Sequence, residues 1–198
     1  MSSTTSSAIV APVTLAAETG PWVLVERLRE GDAEALGELY DQHAAALLTF
    51  ARRLVGDADA AKDLVQEVFL TVPRAIQRYE GHAALRTFLI SIAVNHARHH
   101  VRAAARRRAA SERFAREPNA ASHSPEHDLG RERLARELSA ALDNLPLDQR
   151  VAFVLCEIEE LTSAQAARVA DVPEATIRTR LFHARRRLRA LLVRERDG

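Results

Sequence analysis

The chain has 198 residues, enough for one or two domains, and carries a formal net charge of only +1. Its single cysteine, Cys156, excludes an intramolecular disulfide and a cysteine metal cluster. No apolar run is long enough to span a bilayer and no secretory signal is visible, so we expect a cytoplasmic protein without membrane insertion. Ala, Leu, Arg and Glu dominate while aromatics make up 5%, a composition that favours helices.

The near-zero net charge hides four blocks of alternating sign. Residues 1–73 carry a net charge of −6 and residues 74–116 a net charge of +8. The pattern then repeats, with −6 over residues 117–163 and +5 over residues 164–198. Two separate basic surfaces suggest two contacts with a polyanion such as DNA. Each acidic block is either charge balance or a surface that faces a protein partner.

The chain begins with a tail and two predicted helices. Residues 1–20 are mostly small and hydroxylated, with no helical period, which indicates a disordered tail. The apolar spacing predicts a helix over residues 21–29. A second, longer helix follows between Asp32, a natural N-cap, and Gly56, which breaks it.

A third helix is predicted over residues 60–72, with Asp57 near its start. We expect Pro73 to end or kink it, because proline removes a helical hydrogen bond. Residues 77–82 combine aromatic, polar and glycine residues and are predicted to form a loop. From Ala83 a long helix turns its apolar face inward and then becomes arginine-rich.

The second half is predicted to contain a linker and then more helices. Prolines, serines and little periodicity mark residues 109–130 as a flexible linker. The next helix ends at Pro146, and another runs over residues 147–159. Residues 161–192 then match a short helix, a tight turn at Asp171 and a longer helix with arginines on its exposed side. That pattern is typical of a helix-turn-helix, although a solvated arginine face would look similar.

Two blocks of motifs, in this order, resemble the extracytoplasmic-function (ECF) type of RNA polymerase sigma factor. The first contains DLVQEVFL at residues 63–70, and the second contains LPLDQR at 145–150 and TIRTRL at 176–181. A helix-turn-helix is shared with many regulators, but the acidic DLVQEVFL helix is not. The resemblance covers most of the chain outside the tail and the linker.

The resemblance implies an all-α fold of two small helical domains joined by a flexible linker. A region-two-like domain would span residues 21–108 and a region-four-like helix-turn-helix domain residues 131–195, with a tail at 1–20 and a linker at 109–130. The first domain would dock on the largest subunits of core RNA polymerase. The positions that match the docking motif are Asp63, Gln66, Glu67 and Phe69.

The resemblance also implies two contacts with promoter DNA. The loop at 79–84 and the helix after it would open the minus-ten element, where a flipped base needs a snug pocket and the strand needs basic side chains. The residues expected there are Arg78, Tyr79, His82, Arg86, Asn95, Arg98, His99 and Arg102. The second helix of the helix-turn-helix would read the minus-thirty-five element in the major groove. The residues expected there are Thr176, Arg178, Thr179, Arg180, Phe182, His183, Arg185 and Arg186.

The chain departs from the family pattern at several positions. Thr71, Val72 and Pro73 stand where the family commonly has tryptophan, Asp171 replaces the turn glycine, and His183 replaces an arginine. The promoter sequence therefore stays open. Many family members have an anti-sigma inhibitor, so an anti-sigma factor is a candidate partner.

Enzymatic and metal-binding roles find little support in the residues. His96, His99 and His100 share a helix, but no carboxylate or cysteine lies near them in the sequence, so we expect no metal. Nothing beside Asp63 and Glu67 supplies a nucleophile or a buried pocket, so we expect neither an enzyme nor a cofactor. Two rival functions remain: a helix-turn-helix transcriptional regulator that is not a polymerase subunit, and a relative that sequesters polymerase.

Overall fold

The computed structural model describes residues 21–111 and 138–194, with side chains described for 22–101 and 138–191. The predicted tail and most of the predicted linker lie outside these ranges. All regular structure in the described residues is helical, which confirms the all-α prediction. Within the same residues, no helix is both long enough and apolar enough to cross a membrane.

The N-terminal unit consists of four helices and a short 3-10 turn. The helices are α1 (Pro21–Arg29), α2 (Ala33–Val55), α3 (Ala58–Ala75) and α4 (Leu85–Ser111), and the 3-10 turn covers Ile76–Arg78. Helices α2, α3 and α4 pack against one another and α1 covers one end. As predicted, α2 is capped by Asp32, whose carboxylate accepts from the amides of Glu34 and Ala35, and ends at Gly56.

Pro73 does not end α3, although an end there was one of the two outcomes that the sequence predicts. The helix passes through Pro73 to Ala75 and tightens into the 3-10 turn. Val72 and Ile76, on either side of the proline, are fully buried, and the Ile76 amide donates to the carbonyl of Val72. Tertiary packing thus keeps the chain on a helical path despite the missing proline amide.

The C-terminal unit begins with helical residues 138–143, here called α5. It continues with α6 (Leu147–Phe153), α7 (Ser163–Ala170) and α8 (Glu174–Arg194). The helix predicted over 147–159 does not stay α-helical, because Val154–Ile158 widens into a π-helical turn in which the amide of Glu159 donates to the carbonyl of Val154.

Helices α7 and α8 form the predicted helix-turn-helix. Thr162 and Gln165 make a reciprocal capping box at the start of α7. Asp171 ends α7 in a left-handed conformation, with φ 48° and ψ 56°, so aspartate fills the position where the family commonly has glycine. The helical spacing of Ile177, Leu181, Ala184, Leu188 and Leu191 predicts one buried face; the first four are buried and Leu191 is partly buried.

The two units pack against each other. Helix α4 contacts α7, and α2 and α4 both contact α6. Arg150 is only 8% exposed and its Nη1 donates to the carbonyl of Leu54, 2.7 Å away in the other unit. A Cβ added to Gly56, which has φ 76°, would collide with the carboxylate of Asp143. The contact therefore leaves no room for a methyl group at Gly56 unless the side chain of Asp143 moves.

Candidate polymerase and DNA interfaces

The outer face of α3 carries the side chains predicted to dock on polymerase. Asp63 and Gln66 are exposed, and Glu67 is half-buried. Phe69 differs from the other three, because it is buried and its ring packs on Tyr40 with 4.8 Å between centroids. Phe69 therefore supports the outer face of α3 from inside and is not part of its exposed surface. Its neighbour Leu70 is 71% exposed and supplies an apolar side chain on this face. Leu70 was not among the residues predicted to dock on polymerase.

Glu67 lies between two histidines of α4. Its Oε2 is 3.2 Å from His96 Nδ1 and 2.8 Å from His100 Nε2. The expectation that no carboxylate accompanies these histidines is therefore wrong, since a residue 29 positions before His96 reaches them across the α3–α4 contact. Burial lowers the pKa of His96, which favours its neutral form. Among the described residues, no group of three or more His, Cys, Asp and Glu side chains is arranged to hold a metal ion.

The predicted minus-ten loop follows the 3-10 turn and is held by main-chain contacts. Arg29 of α1 donates through Nη2 to the carbonyl of Tyr79, and Gln77 donates back to the carbonyl of Arg29. The Tyr79 hydroxyl donates to the carbonyl of Ala83, closing the loop, and its ring packs on Phe88 at 4.9 Å. Bonds within the chain thus fix the shape of the loop.

A cavity of about 400 Å³ opens beside this loop. The N-terminal unit contributes one wall, including Arg78, Tyr79 and His82, and both Arg78 and His82 are exposed. The opposite wall is α7, through Gln165 and other residues of the helix-turn-helix. The structure thus brings the predicted base pocket against the other unit.

The predicted DNA-binding residues of α4 divide into exposed side chains and side chains held in ion pairs. Asn95 and His99 are exposed. Arg98 has a side chain only 13% exposed, with its Nε 3.2 Å from Asp148 Oδ1 and its Nη1 on the carbonyl of Ala170. Arg86 pairs with Glu159, a carboxylate only 3% exposed. The side chain of Arg102 lies outside the described residues.

Helix α8 presents most of the predicted minus-thirty-five residues to solvent. Thr176 and Arg180 are partly buried, and the exposed ones are Arg178, Thr179, Phe182, His183, Arg185 and Arg186. Arg178 lies 3.5 Å from Glu174 and Arg185 lies 2.5 Å from Glu157. The ring of Phe182 stands edge-on to His183 at 5.5 Å. An exposed aromatic beside an imidazole suits the reading of base edges and thymine methyl groups.

One carboxylate connects the two predicted DNA-binding surfaces. Asp148 of α6 pairs through Oδ1 with Arg98 and through Oδ2, at 2.8 Å, with Arg180. Arg98 belongs to the predicted minus-ten surface and Arg180 to the predicted minus-thirty-five surface. Asp148, which holds Arg98 and Arg180, and Glu159, which pairs with Arg86, were not recognised in the sequence. These carboxylates meet their arginines only because the two units pack together, and local sequence patterns carry no information on that packing.

Comparison with known proteins agrees with this architecture. The family model described as Sigma-70 region 2 matches residues 39–107, and the one described as Sigma-70, region 4 matches residues 135–188. The chain is 34% identical over 170 residues to the RNA polymerase sigma-H factor of Pseudomonas aeruginosa, covering 82% of this chain and 88% of that protein. It is 32% identical over 171 residues to the ECF RNA polymerase sigma-E factor of Escherichia coli, covering 82% and 89%.

Two solved structures have the same fold as this chain. The sigma factor RpoE from Bartonella quintana, crystallised with the anti-sigma factor NepR, superposes with a TM-score of 0.63 at 26% identity, covering 79% of this chain and 95% of that one. CnrH, solved with the cytosolic domain of CnrY, has the same fold, with a TM-score of 0.59 at 24% identity over 86% of this chain and 95% of that one. The chain therefore belongs to the ECF-type RNA polymerase sigma factors.

Proposed function

We propose that this sigma factor holds core RNA polymerase with α3 and promoter DNA at two separate places. The outer face of α3, with Asp63, Gln66 and Glu67, docks on the largest polymerase subunits. The loop after Arg78 and the helix α4 bind the opened minus-ten element, and α8 reads the minus-thirty-five element. The observation that carries the proposal is the combination of an exposed acidic helix face with two basic surfaces in a chain of this family.

This function needs no catalytic group in the chain. Burial raises the pKa of Cys156, so its thiol stays protonated and is a poor nucleophile at neutral pH. We expect the chemistry of transcription to belong to the polymerase, and the sigma factor to act in the cytoplasm beside it. Because the sigma factor RpoE from Bartonella quintana was solved with the anti-sigma factor NepR, an anti-sigma factor is a candidate partner here too.

We further propose that the two units separate when DNA binds. In the packed arrangement Arg98 and Arg180 are committed to Asp148, and α7 walls the cavity beside the minus-ten loop. Arg98 Nη2 and Arg180 Nη1 are buried without a hydrogen-bond partner in the part of the chain that the structure describes. Each such orphan donor costs about 1–3 kcal/mol. The packed arrangement thus leaves some arginine N–H groups without a hydrogen bond, and DNA phosphates can compete for the same arginines.

The proposal is tested with purified core polymerase and the full chain. We expect a complex on size-exclusion chromatography, and permanganate-reactive thymines in the minus-ten element only when the complex binds a promoter. A regulator that is not a polymerase subunit would instead bind duplex DNA tightly without polymerase. A sequestering relative would bind core polymerase but leave every thymine unreactive.

Replacing Arg178 by alanine tests the reading of the minus-thirty-five element. Arg178 is exposed and only loosely paired with Glu174, so it is free to donate to a base edge. We expect discrimination at one base pair to fall by about 1–3 kcal/mol, measured by binding to a set of single-substituted promoters. Arg186→Ala is the matched control, because we expect Arg186 to hold a phosphate rather than a base, and loss of a phosphate contact weakens all promoters alike and lowers the salt dependence. If the Arg178→Ala variant keeps the promoter preference of the wild type, Arg178 does not read a base.

A further inference from the structure

Trp22, near the start of α1, is an exposed aromatic that lies against the minus-ten loop. It is 53% exposed, although tryptophan usually buries most of its surface. A single exposed apolar side chain is not unusual on a protein surface. Its position is what requires an explanation, because the ring lies beside Tyr79 with 6.2 Å between centroids.

The loop is shaped to receive this ring. Gly81 has φ 76°, a left-handed conformation that favours glycine, and a Cβ at this position would collide with the six-membered ring of Trp22. Tyr79 in turn packs on Phe88 of α4. The ring is therefore supported from beneath by the loop, while about half of the residue stays open to solvent.

The open side of Trp22 lines a groove of about 590 Å³. All residues that line it belong to the N-terminal unit, and one of them, Arg86, is paired with Glu159 of the C-terminal unit. Polar side chains line the same groove: Gln42, His43, Arg27, which is also paired with Asp32 at 2.7 Å, and Arg86, which is paired with Glu159. One acidic side chain, Glu38, also lines it and is paired with Arg27 at 3.1 Å.

The groove is continuous with the predicted base pocket. Tyr79, Ala83 and Ala84 line both this groove and the 400 Å³ cavity on the other side of the loop. A single strand that places one base in that cavity can cross the loop and bring another base over Trp22. Exposed aromatic rings on which bases stack are a usual means by which proteins hold single-stranded nucleic acid without reading its sequence.

We propose that Trp22 is a stacking platform for a nucleobase of the opened promoter strand, next to the base held by the minus-ten loop. This inference rests on the proposed function, since it needs the loop to bind single-stranded DNA. It adds a contact from α1 that the resemblance to the family did not imply. Because stacking tolerates every base, the platform contributes affinity for the opened strand rather than promoter preference.

The fluorescence of Trp22 provides a direct test, because it is the only tryptophan of the chain. The full chain is titrated at low salt with a twelve-nucleotide oligothymidylate and with an abasic oligomer of the same length. We expect the thymine oligomer to quench the fluorescence and the abasic oligomer, which has the same phosphates, to leave it nearly unchanged. Equal quenching by both oligomers, or none by either, would overturn the proposal.

Two substitutions separate stacking from packing. Trp22→Leu keeps an apolar side chain against Gly81 but removes the aromatic face, and Trp22→Phe keeps an aromatic ring. By anisotropy of labelled oligothymidylate, we expect Trp22→Leu to bind about tenfold more weakly and Trp22→Phe to keep most of the affinity. Equal affinity of all three chains, with equal thermal unfolding, contradicts a stacking role.

The same variants in complex with core polymerase distinguish this inference from the proposed function. If the wild-type complex opens promoters and Trp22→Leu opens them equally well, the platform is refuted and the sigma function stands. If the wild-type chain opens no promoter while thymine still quenches Trp22, the sigma function fails and the nucleobase contact stands. Reduced opening by Trp22→Leu, with Trp22→Phe close to wild type, supports both.

Discussion

Replacing Asp63 and Glu67 by lysine should abolish binding to core RNA polymerase. Asp63 makes no ion pair within the described residues, and both side chains lie on the outer face of α3. Reversal inverts the charge that this face presents to polymerase, so we expect affinity to fall at least about a hundredfold. The measurement is the dissociation constant of the full chain and core polymerase, with circular dichroism to confirm that the helices persist.

Glu26 and Glu30 supply a matched control for this experiment. They form another exposed pair four residues apart, at α1 rather than α3. Reversing both to lysine makes the same change of charge at a place that the proposal does not assign to polymerase. The control should keep near wild-type affinity. Normal core binding by the α3 variant would place the interface elsewhere on the molecule.

Replacing Asp148 by asparagine should loosen the contact between the two units. The substitution removes the ion pairs with Arg98 and Arg180, each partly exposed and worth up to about 1 kcal/mol. In this proposal DNA binds the chain whose two units are separated, so the apparent affinity scales with the fraction of chains in that state. We expect the free Asp148→Asn chain to bind minus-thirty-five duplex about tenfold more tightly than the wild type. Small-angle scattering should report a larger radius of gyration.

Glu157→Gln is the control that separates opening from a simple loss of negative charge. Glu157 pairs with Arg185 inside the C-terminal unit, so its neutralisation frees a DNA-facing arginine without touching the contact between units. We expect the radius of gyration to stay that of the wild type. If Asp148→Asn behaves as Glu157→Gln does, the packed arrangement does not restrict DNA binding.

A pair of glycine variants tests the same opening without changing any charge. Gly56→Ala places a methyl group against Asp143 of the other unit, whereas Gly31→Ala has no atom within 4 Å of its new methyl group. Both residues have positive φ, at 76° and 82°, so both variants carry similar backbone strain. We expect only Gly56→Ala to separate the units. Equal small-angle scattering curves of the two variants would mean that the units stay packed and accommodate the methyl group at Gly56.

Much of the fold could be predicted because its signals are local. Asp32 and Asp57 cap α2 and α3 through amides two and three residues later, and Asp171 adopts the left-handed turn between α7 and α8. Apolar spacing likewise identified the buried face of α8. Such features depend on side chains and amides close together in sequence, which patterns report well.

The contacts between units could not be predicted, because they join distant residues. Arg98 meets Asp148 across 50 positions, and Arg150 meets the carbonyl of Leu54 across 96. The failure at Pro73 has a related origin, since burial of Val72 and Ile76 outweighs a local preference. The roles of the individual polymerase- and DNA-binding residues, and the domain boundaries at 108 and 131, stay predictions.

Run-off transcription with purified core polymerase and the full chain tests the central claim most directly. A library of promoter fragments would supply the template, because the sequence does not disclose the promoter. We expect transcripts with defined start sites only when the chain is added, and loss of these transcripts with the Asp63→Lys, Glu67→Lys double variant. Absence of any chain-dependent start site, with polymerase that is active with another sigma factor, would contradict a role as an initiating subunit.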